Sequence, residues 1–373
     1  MLVEQLLAPV PGGTGRYTRE LTAALAATAP AGWVVSSVVA KHRDPSAAMI
    51  PGVDGPRVLR LPPRALTAAW ERGWPLWPGG DSVHAPTPLA PASARRGRGL
   101  VVTVHDTVPW THPETLTKRG GAWHRKVVSR ATYQAGAIVV PSSAVAAELT
   151  RHAPGTARVH VIGPGVPAVL AQPPEKEAAF RIRGRLKLPE RYLLAIGTVE
   201  PRKGLDVLVD ALTRPNAPDL PLVVAGQPGW GGVDLHDIAK RRGLAPERLR
   251  VLGKVTDAEL AVALHGAAAF VMPSLAEGFG LPLLEAMAAG VPVVHSDAPA
   301  LIEVAAGTGV LARRQDPIAL ARALRSVFDD KARTDSKVAA ARLRAAHFTW
   351  ERSAHLVWNV HLELYQNRLI GLI

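Results

Sequence analysis

Short apolar runs alternate with amphipathic stretches along most of this 373-residue chain. Eight runs read as buried parallel strands, because a strand covered on both faces is apolar throughout. They are residues 33–39, 100–104, 137–140, 159–162, 192–196, 220–224, 268–272 and 291–294. Between them, residues 17–27, 125–135, 143–152, 204–213, 258–266 and 317–329 carry apolar positions at helical spacing. Alternation of strand and helix predicts an α/β fold with parallel sheets. Residues 163–189 are rich in Pro, Gly and charge and interrupt the rhythm. The pattern predicts a first domain over 1–168, a linker over 169–189, a second domain over 190–349 and a terminal helix over 350–373, with Leu356, Val360 and Leu364 on one face.

Composition narrows the chemistry. There is no cysteine, which excludes disulfides, thiolate metal sites and a cysteine nucleophile. Residues 1–13 carry Glu4 and two prolines without a basic leader, so no signal peptide is expected; no apolar run is long enough for a transmembrane helix. A cytoplasmic location is the expectation. The net charge of +13 is uneven: residues 1–170 hold 18 Lys/Arg against 9 Asp/Glu. A basic first half suggests an anionic partner, although a base-composition bias toward Ala, Gly, Pro and Arg would give the same excess. Nucleic acid is disfavoured, since aromatics do not interleave with the basic residues and make up only 5% of the chain.

Four segments could carry chemistry. In SLAEGFGLPLLEAMAAGVPV, residues 274–293, a strand ends in a glycine-bearing loop that opens a helix. Pro282 suits the first helical turn and Gly290 the C-terminal cap. Free amides at such a helix start favour an anion such as a diphosphate. Glu277 and Glu285 could accept hydrogen bonds from sugar hydroxyls; spacing alone equally allows Glu277 to cap the helix and Glu285 merely to favour its positive end. In IGTVEPRKG, residues 196–204, Arg202 and Lys203 follow a strand and could neutralise a diphosphate, or could be solvated surface charges. Residues 12–17, GGTGRY, should form a loop before the first helix but match neither a Walker loop nor a full dinucleotide fingerprint. His105 lies at the tip of the strand 100–104. There is no Asp-x-Asp, His-Glu-x-x-His or Gly-x-Ser-x-Gly motif.

Together, and in this order, the segments resemble family 4 glycosyltransferases of the GT-B fold, in particular the bacterial mannosyltransferase-B-like subgroup. The resemblance rests on GGTGRYTREL, VHDTVPWTHPE, VPSSAVAAEL, GTVEPRKGLDVLVDAL, the Glu277/Glu285 pair and FTWERSAHLVWNVHLELY. It implies two Rossmann-like domains with parallel sheets facing across a cleft. It implies a retaining hexosyltransferase, with GDP-mannose as donor and a glycan or lipid-linked acceptor. Glu277 would contact the donor sugar, Glu285 the ribose, and Arg202 and Lys203 the leaving diphosphate. The amides of Gly278, Phe279, Gly280 and Leu281 would hold sugar and phosphate. Gly13 would approach the phosphates, His105 the transferring sugar, and Gly253, Lys254 and Val255 the base. No metal or other cofactor is expected. Gly204 and Ala276 depart from the subgroup, which often has Asn and an aromatic there. A sugar-nucleotide epimerase and a non-catalytic GT-B-like binding protein remain as alternatives.

The first domain adds a membrane expectation. Arg95, Arg96 and Arg98, Lys118 and Arg119, and Arg125 and Lys126 form basic clusters, while Trp70, Trp74 and Trp77 stand at helical spacing. Such residues suit a headgroup interface, although Gly73 and Pro75 argue against a continuous helix. Peripheral contact with an anionic membrane is expected, unless the tryptophans pack inside.

Overall fold

The predicted alternation resolves into parallel sheets in a computed structural model, which describes residues 1–369 apart from Pro75 and Trp230. The chain divides into two units: Met1–Gly165 together with the chain from Thr349, and Val166–Phe348.

In the first unit, β1 (Ser36–Val39) pairs in parallel with β2 (Asp54–Val58). A four-stranded parallel sheet follows the order β3 (Ser82–Ala85), β4 (Gly99–Thr103), β5 (Ala137–Val140) and β6 (Arg158–Val161). Residues 1–3 join the two groups. The Leu2 amide donates to the His84 carbonyl and the Val3 amide to the Val38 carbonyl, both at 3.0 Å. The terminal helix Trp350–Leu369 packs on the helix Gly12–Ala27, where Trp358 Nε1 donates to the Leu25 carbonyl at 3.0 Å.

The second unit is one six-stranded parallel sheet. Its strands are β7 (Leu193–Ile196), β8 (Leu222–Ala225), β9 (Leu249–Gly253), β10 (Ala269–Met272), β11 (Val293–Ser296) and β12 (Val310–Ala312). Their spatial order is β12-β11-β10-β7-β8-β9. The chain runs outward one way from β7 and the other way from β10, so the topology reverses between these two neighbours. Their residues Leu193, Leu194, Ala269 and Phe270 are wholly buried, as expected of strands covered on both faces.

Several expectations need correction. Residues 169–189 are not a bare linker: Ala168–Ala171 and Lys176–Leu186 are helical and belong to the second unit. Leu170 is wholly buried, and the Glu175 carboxylate caps the second of these helices by accepting from the Glu177 and Ala178 amides. Residues 12–17 are not a loop, because the helix begins at Gly12. As Gly73 and Pro75 in the sequence predict, no continuous helix runs through Trp70, Trp74 and Trp77: it ends at Glu71. Trp70 is core, Trp74 is exposed and Trp77 half-buried; Pro75 lies outside the described residues.

A polar chain crosses the core of the first unit. His361 Nδ1 meets Ser82 Oγ at 2.6 Å, His361 Nε2 meets His84 Nδ1 at 3.3 Å, and His84 Nε2 meets Thr103 Oγ1 at 2.9 Å. Burial pushes both imidazoles down from 6.5, His361 to about 3 and His84 well below its ordinary value. Both rings are therefore neutral when folded and become protonated below pH 6.5 when unfolded. The unfolded state gains the protons, so stability falls as pH drops from 6.5. Each full proton contributes a slope of about 1.4 kcal/mol per pH unit. Denaturant titrations between pH 6.5 and about 4.5 should show this loss, and His361→Gln should make it shallower without abolishing it, because His84 still titrates on unfolding. Stability independent of pH across that window would contradict the assignment.

Candidate active site

The loops at the carboxyl ends of β7 and β10 come together where the strand order reverses, the place at which open α/β sheets hold ligands. The first loop makes a tight turn over Pro201–Lys203 and leaves it through Gly204. Gly204 has φ +63°, and a Cβ there would stand 2.3 Å from the Pro273 carbonyl oxygen of the second loop. Only a glycine lets the two backbones approach this closely without strain. The Leu275 amide then donates to the Arg202 carbonyl at 2.8 Å, and Arg202 Nη1 donates to the Ala276 carbonyl at 2.9 Å.

This close approach places Glu277 between two cations. Lys203 Nζ donates to its Oε1 at 2.7 Å, and Arg202 Nη1 lies 3.4 Å from its Oε2. Arg202 Nη2 also donates to Glu200 Oε1 at 2.7 Å. The Glu277 side chain is only 8% exposed, Lys203 14% and Arg202 19%. Arg202 and Lys203 are therefore not solvated surface charges. Burial alone would push the Glu277 carboxyl up, but the Lys203 ammonium and Arg202 guanidinium outweigh it and hold the group below 4.5. Glu277 stays ionised.

Glu277 does not cap the following helix, Leu281–Ala289. Gly280 is the cap residue, at φ +96°, and its start is fixed by backbone alone. Leu281 and Pro282 open the first turn. The Phe279 side chain turns into the core and meets Phe348 edge to face at 5.6 Å, so only its backbone can serve a ligand. Glu285 is the fifth residue of this helix and is wholly buried. At the tip of β9, Gly253 turns at φ +69°, Lys254 is exposed and Val255 packs partly into the core. They share the carboxyl edge of the sheet with the Glu277 cluster but are not bonded to it.

In the first unit, His105 follows β4 and packs edge to face on Tyr17, with centroids 4.7 Å apart. Tyr17 belongs to the helix whose first turn holds Gly13. His105 Nε2 donates to the Pro86 carbonyl at 2.7 Å. Burial pushes the imidazole down, so the ring is neutral near pH 7 and Nδ1 is left as an acceptor.

Sequence reasoning missed two supports. Glu200 orients Arg202, and its position two residues before that arginine was the available clue. Arg314 braces the Glu277 loop: Nη1 donates to the Leu275 carbonyl at 3.0 Å, and Nε to Asp297 Oδ1 at 2.7 Å. It lies after β12, 37 residues beyond Glu277, and no local pattern marks it. Among the described residues no group of three or more His, Asp or Glu is placed to hold a metal ion.

A buried, charge-compensated cluster at the switch point of an open parallel sheet stands where α/β proteins hold their ligands. The chain belongs to the family 4, GT-B-type glycosyltransferases. Residues 11–169 match the family described as Glycosyltransferase Family 4, and residues 176–344 that described as Glycosyl transferases group 1. The chain is similar to a D-inositol 3-phosphate glycosyltransferase of Stackebrandtia nassauensis, 31% identical over 319 residues, covering 81% of this chain and 68% of that one. It is also similar to the O-antigen chain mannosyltransferase B of Escherichia coli, 40% identical over 166 residues, 43% of this chain and 42% of that one. The chain spans about half the length of several curated relatives it matches. Its fold is that of sucrose-phosphate synthase from Thermosynechococcus elongatus, with TM-score 0.78, 24% identity and 98% of each chain covered.

The contact at Gly204 gives a direct test. Gly204→Ala adds a methyl against the Pro273 carbonyl at a left-handed φ. The second unit should lose about 1–3 kcal/mol of stability in denaturant titration. Unchanged stability would show that the loops are not held in this way.

Proposed function

We propose that this chain is a retaining, metal-independent hexosyltransferase that moves mannose from GDP-mannose to a hydroxyl of a glycan or lipid-linked acceptor at the cytoplasmic membrane face. The observation that carries the reading is the Lys203–Glu277–Arg202 cluster beside the opening of the helix Leu281–Ala289. Breaking the bond between sugar and diphosphate leaves growing negative charge on the leaving group. Lys203 and Arg202 are fixed where they can receive that charge, a role that a divalent ion fills in other enzymes. Glu277, held ionised, accepts hydrogen bonds from the donor sugar and keeps both cations in register. Glu285 is assigned to the ribose, and the amides of residues 278–281 to sugar and phosphate. Gly13 would lie against the phosphates, and residues 253–255 against the base. His105 Nδ1 accepts from a hydroxyl of the transferring sugar.

Retention follows if the acceptor attacks from the face the diphosphate leaves. The acceptor oxygen bonds to the anomeric carbon as the glycosidic C–O bond to phosphate breaks, and the acceptor proton passes to a phosphate oxygen. The mannose and GDP assignments draw on the Escherichia coli relative's name and on subgroup resemblance. The acceptor reading draws on the basic first half, and the Stackebrandtia relative is itself named for an anionic compound. No described helix is long and apolar enough to cross a membrane, so contact there would be peripheral.

Release of nucleoside diphosphate from GDP-mannose, with and without a candidate acceptor glycan, tests the reading. Turnover should need the acceptor, survive EDTA and exceed that with UDP- or dTDP-sugars. Arg202→Ala and Lys203→Ala should each lower it by about 10²-fold or more. Loss in EDTA restored by Mg²⁺ or Mn²⁺ would overturn metal independence. Faster turnover of a UDP-sugar would overturn the donor, and epimerised donor without acceptor would overturn transfer itself.

A further inference from the structure

The first unit holds a hollow of about 780 Å³ lined by none of the residues assigned to the donor. Ligand sites commonly occupy about 300–1,000 Å³. Its walls are residues 57–61 at the end of β2 and just beyond, Leu66 of the helix Pro63–Glu71, residues 76–79 leading into β3, and residues 91–95 between β3 and β4. Its lining is mostly apolar, with Leu61, Leu66, Leu76, Trp77 and Pro91 among its side chains. Leu76 is 37% exposed, an apolar side chain left open within the hollow.

Three arginines share this lining: Arg57, Arg60 and Arg95. Among the described residues none of them makes a side-chain ion pair or hydrogen bond, and no acidic residue lines the hollow. Neighbouring cations behave differently. Arg98 is paired with Asp81, Lys126 with Glu71, and Arg130 donates to the Trp70 and Glu71 carbonyls. An apolar trough carrying three uncompensated guanidinium groups is matched by one kind of molecule: a hydrocarbon chain with an anionic head. Arginine favours phosphate among such heads, because its planar fork meets two oxygens at once.

We propose that this hollow binds a single alkyl or isoprenoid chain ending in phosphate, with the chain along Leu61, Leu66, Leu76 and Trp77 and the phosphate held by Arg57, Arg60 and Arg95. The inference extends the lipid-linked acceptor reading by giving the lipid a seat on this chain, but its binding can be measured without turnover.

Calorimetric titration with decyl phosphate, kept below its micelle concentration, tests it on the whole chain. One saturable site is expected. Hexyl phosphate should bind at least tenfold more weakly, because each buried methylene contributes. Inorganic phosphate and uncharged decyl maltoside should bind more weakly still. The triple change Arg57→Ser, Arg60→Ser, Arg95→Ser should weaken decyl phosphate at least tenfold. Leu76→Asp, at an exposed position that tolerates a charge, should do the same. Both variants should keep wild-type affinity for GDP, which separates this site from the donor site. Binding that ignores chain length, equals that of inorganic phosphate, or survives both variants would overturn the proposal. Intact decyl phosphate binding in a protein that transfers no sugar would leave the hollow assigned and overturn the transferase reading instead.

Discussion

The contact on which the second unit's site depends is the carboxylate of Glu277 held between Lys203 and Arg202. Three charged groups, each less than a fifth exposed, would be costly if any stood alone. Together they compensate one another, and the compensation needs two loops from non-consecutive strands at hydrogen-bonding distance. Gly204 permits that approach, Arg202 fastens both loops through its carbonyl and guanidinium, and Arg314 and Ser296 brace the second loop from behind. A buried ion cluster adds little net stability, because desolvation offsets attraction. Under the proposed function its value lies in fixing where positive charge stands before a ligand arrives, so that little reorganisation is left to the reaction.

The sheet order makes this contact possible. β7 and β10 are neighbours although 72 residues separate their ends, because β8 and β9 were laid down on one side and β11 and β12 on the other. The loops that leave these two strands meet at their shared edge, and the second of them runs on into the first turn of Leu281–Ala289. The first unit shows similar economy. Residues 1–3 complete its sheet, the terminal helix returns to cover the helix Gly12–Ala27, and a buried histidine pair ties that terminal helix to β3.

Much of this was legible in the sequence where periodicity is strong. Ala137–Val140, Ser143–His152, Pro317–Asp329 and the Trp350–Leu369 helix match the expected segments, because each is apolar on the period its element requires. β2, β3, β9 and β12 were not legible. Asp54–Val58 is mostly exposed and holds Gly and Pro, Ser82–Ala85 is buried but breaks its short run with a serine and a histidine, Leu249–Gly253 carries an arginine, and Val310–Ala312 is three residues long. Each lies at a sheet edge and is too short or too polar to form an apolar run. For the site, the types and loop positions of Arg202, Lys203 and Glu277 were readable, but their mutual pairing was not, since it depends on which strands become neighbours. Arg314 was invisible for the same reason. Gly13 was misread as a loop residue because its glycine run hides a helix start that Pro11, just ahead of it, could have signalled.

Under the proposed function, Glu277 is an ionised carboxylate that holds Lys203 and Arg202 ready for a diphosphate. Carbon-13 NMR titration of the Glu277 carboxyl group, identified by its loss in Glu277→Gln, measures this directly. Titration below 4.5 is expected, with an upward shift when saturating GDP draws Lys203 and Arg202 toward its phosphates. Titration at or above 4.5, or a midpoint that GDP leaves unmoved, would contradict it.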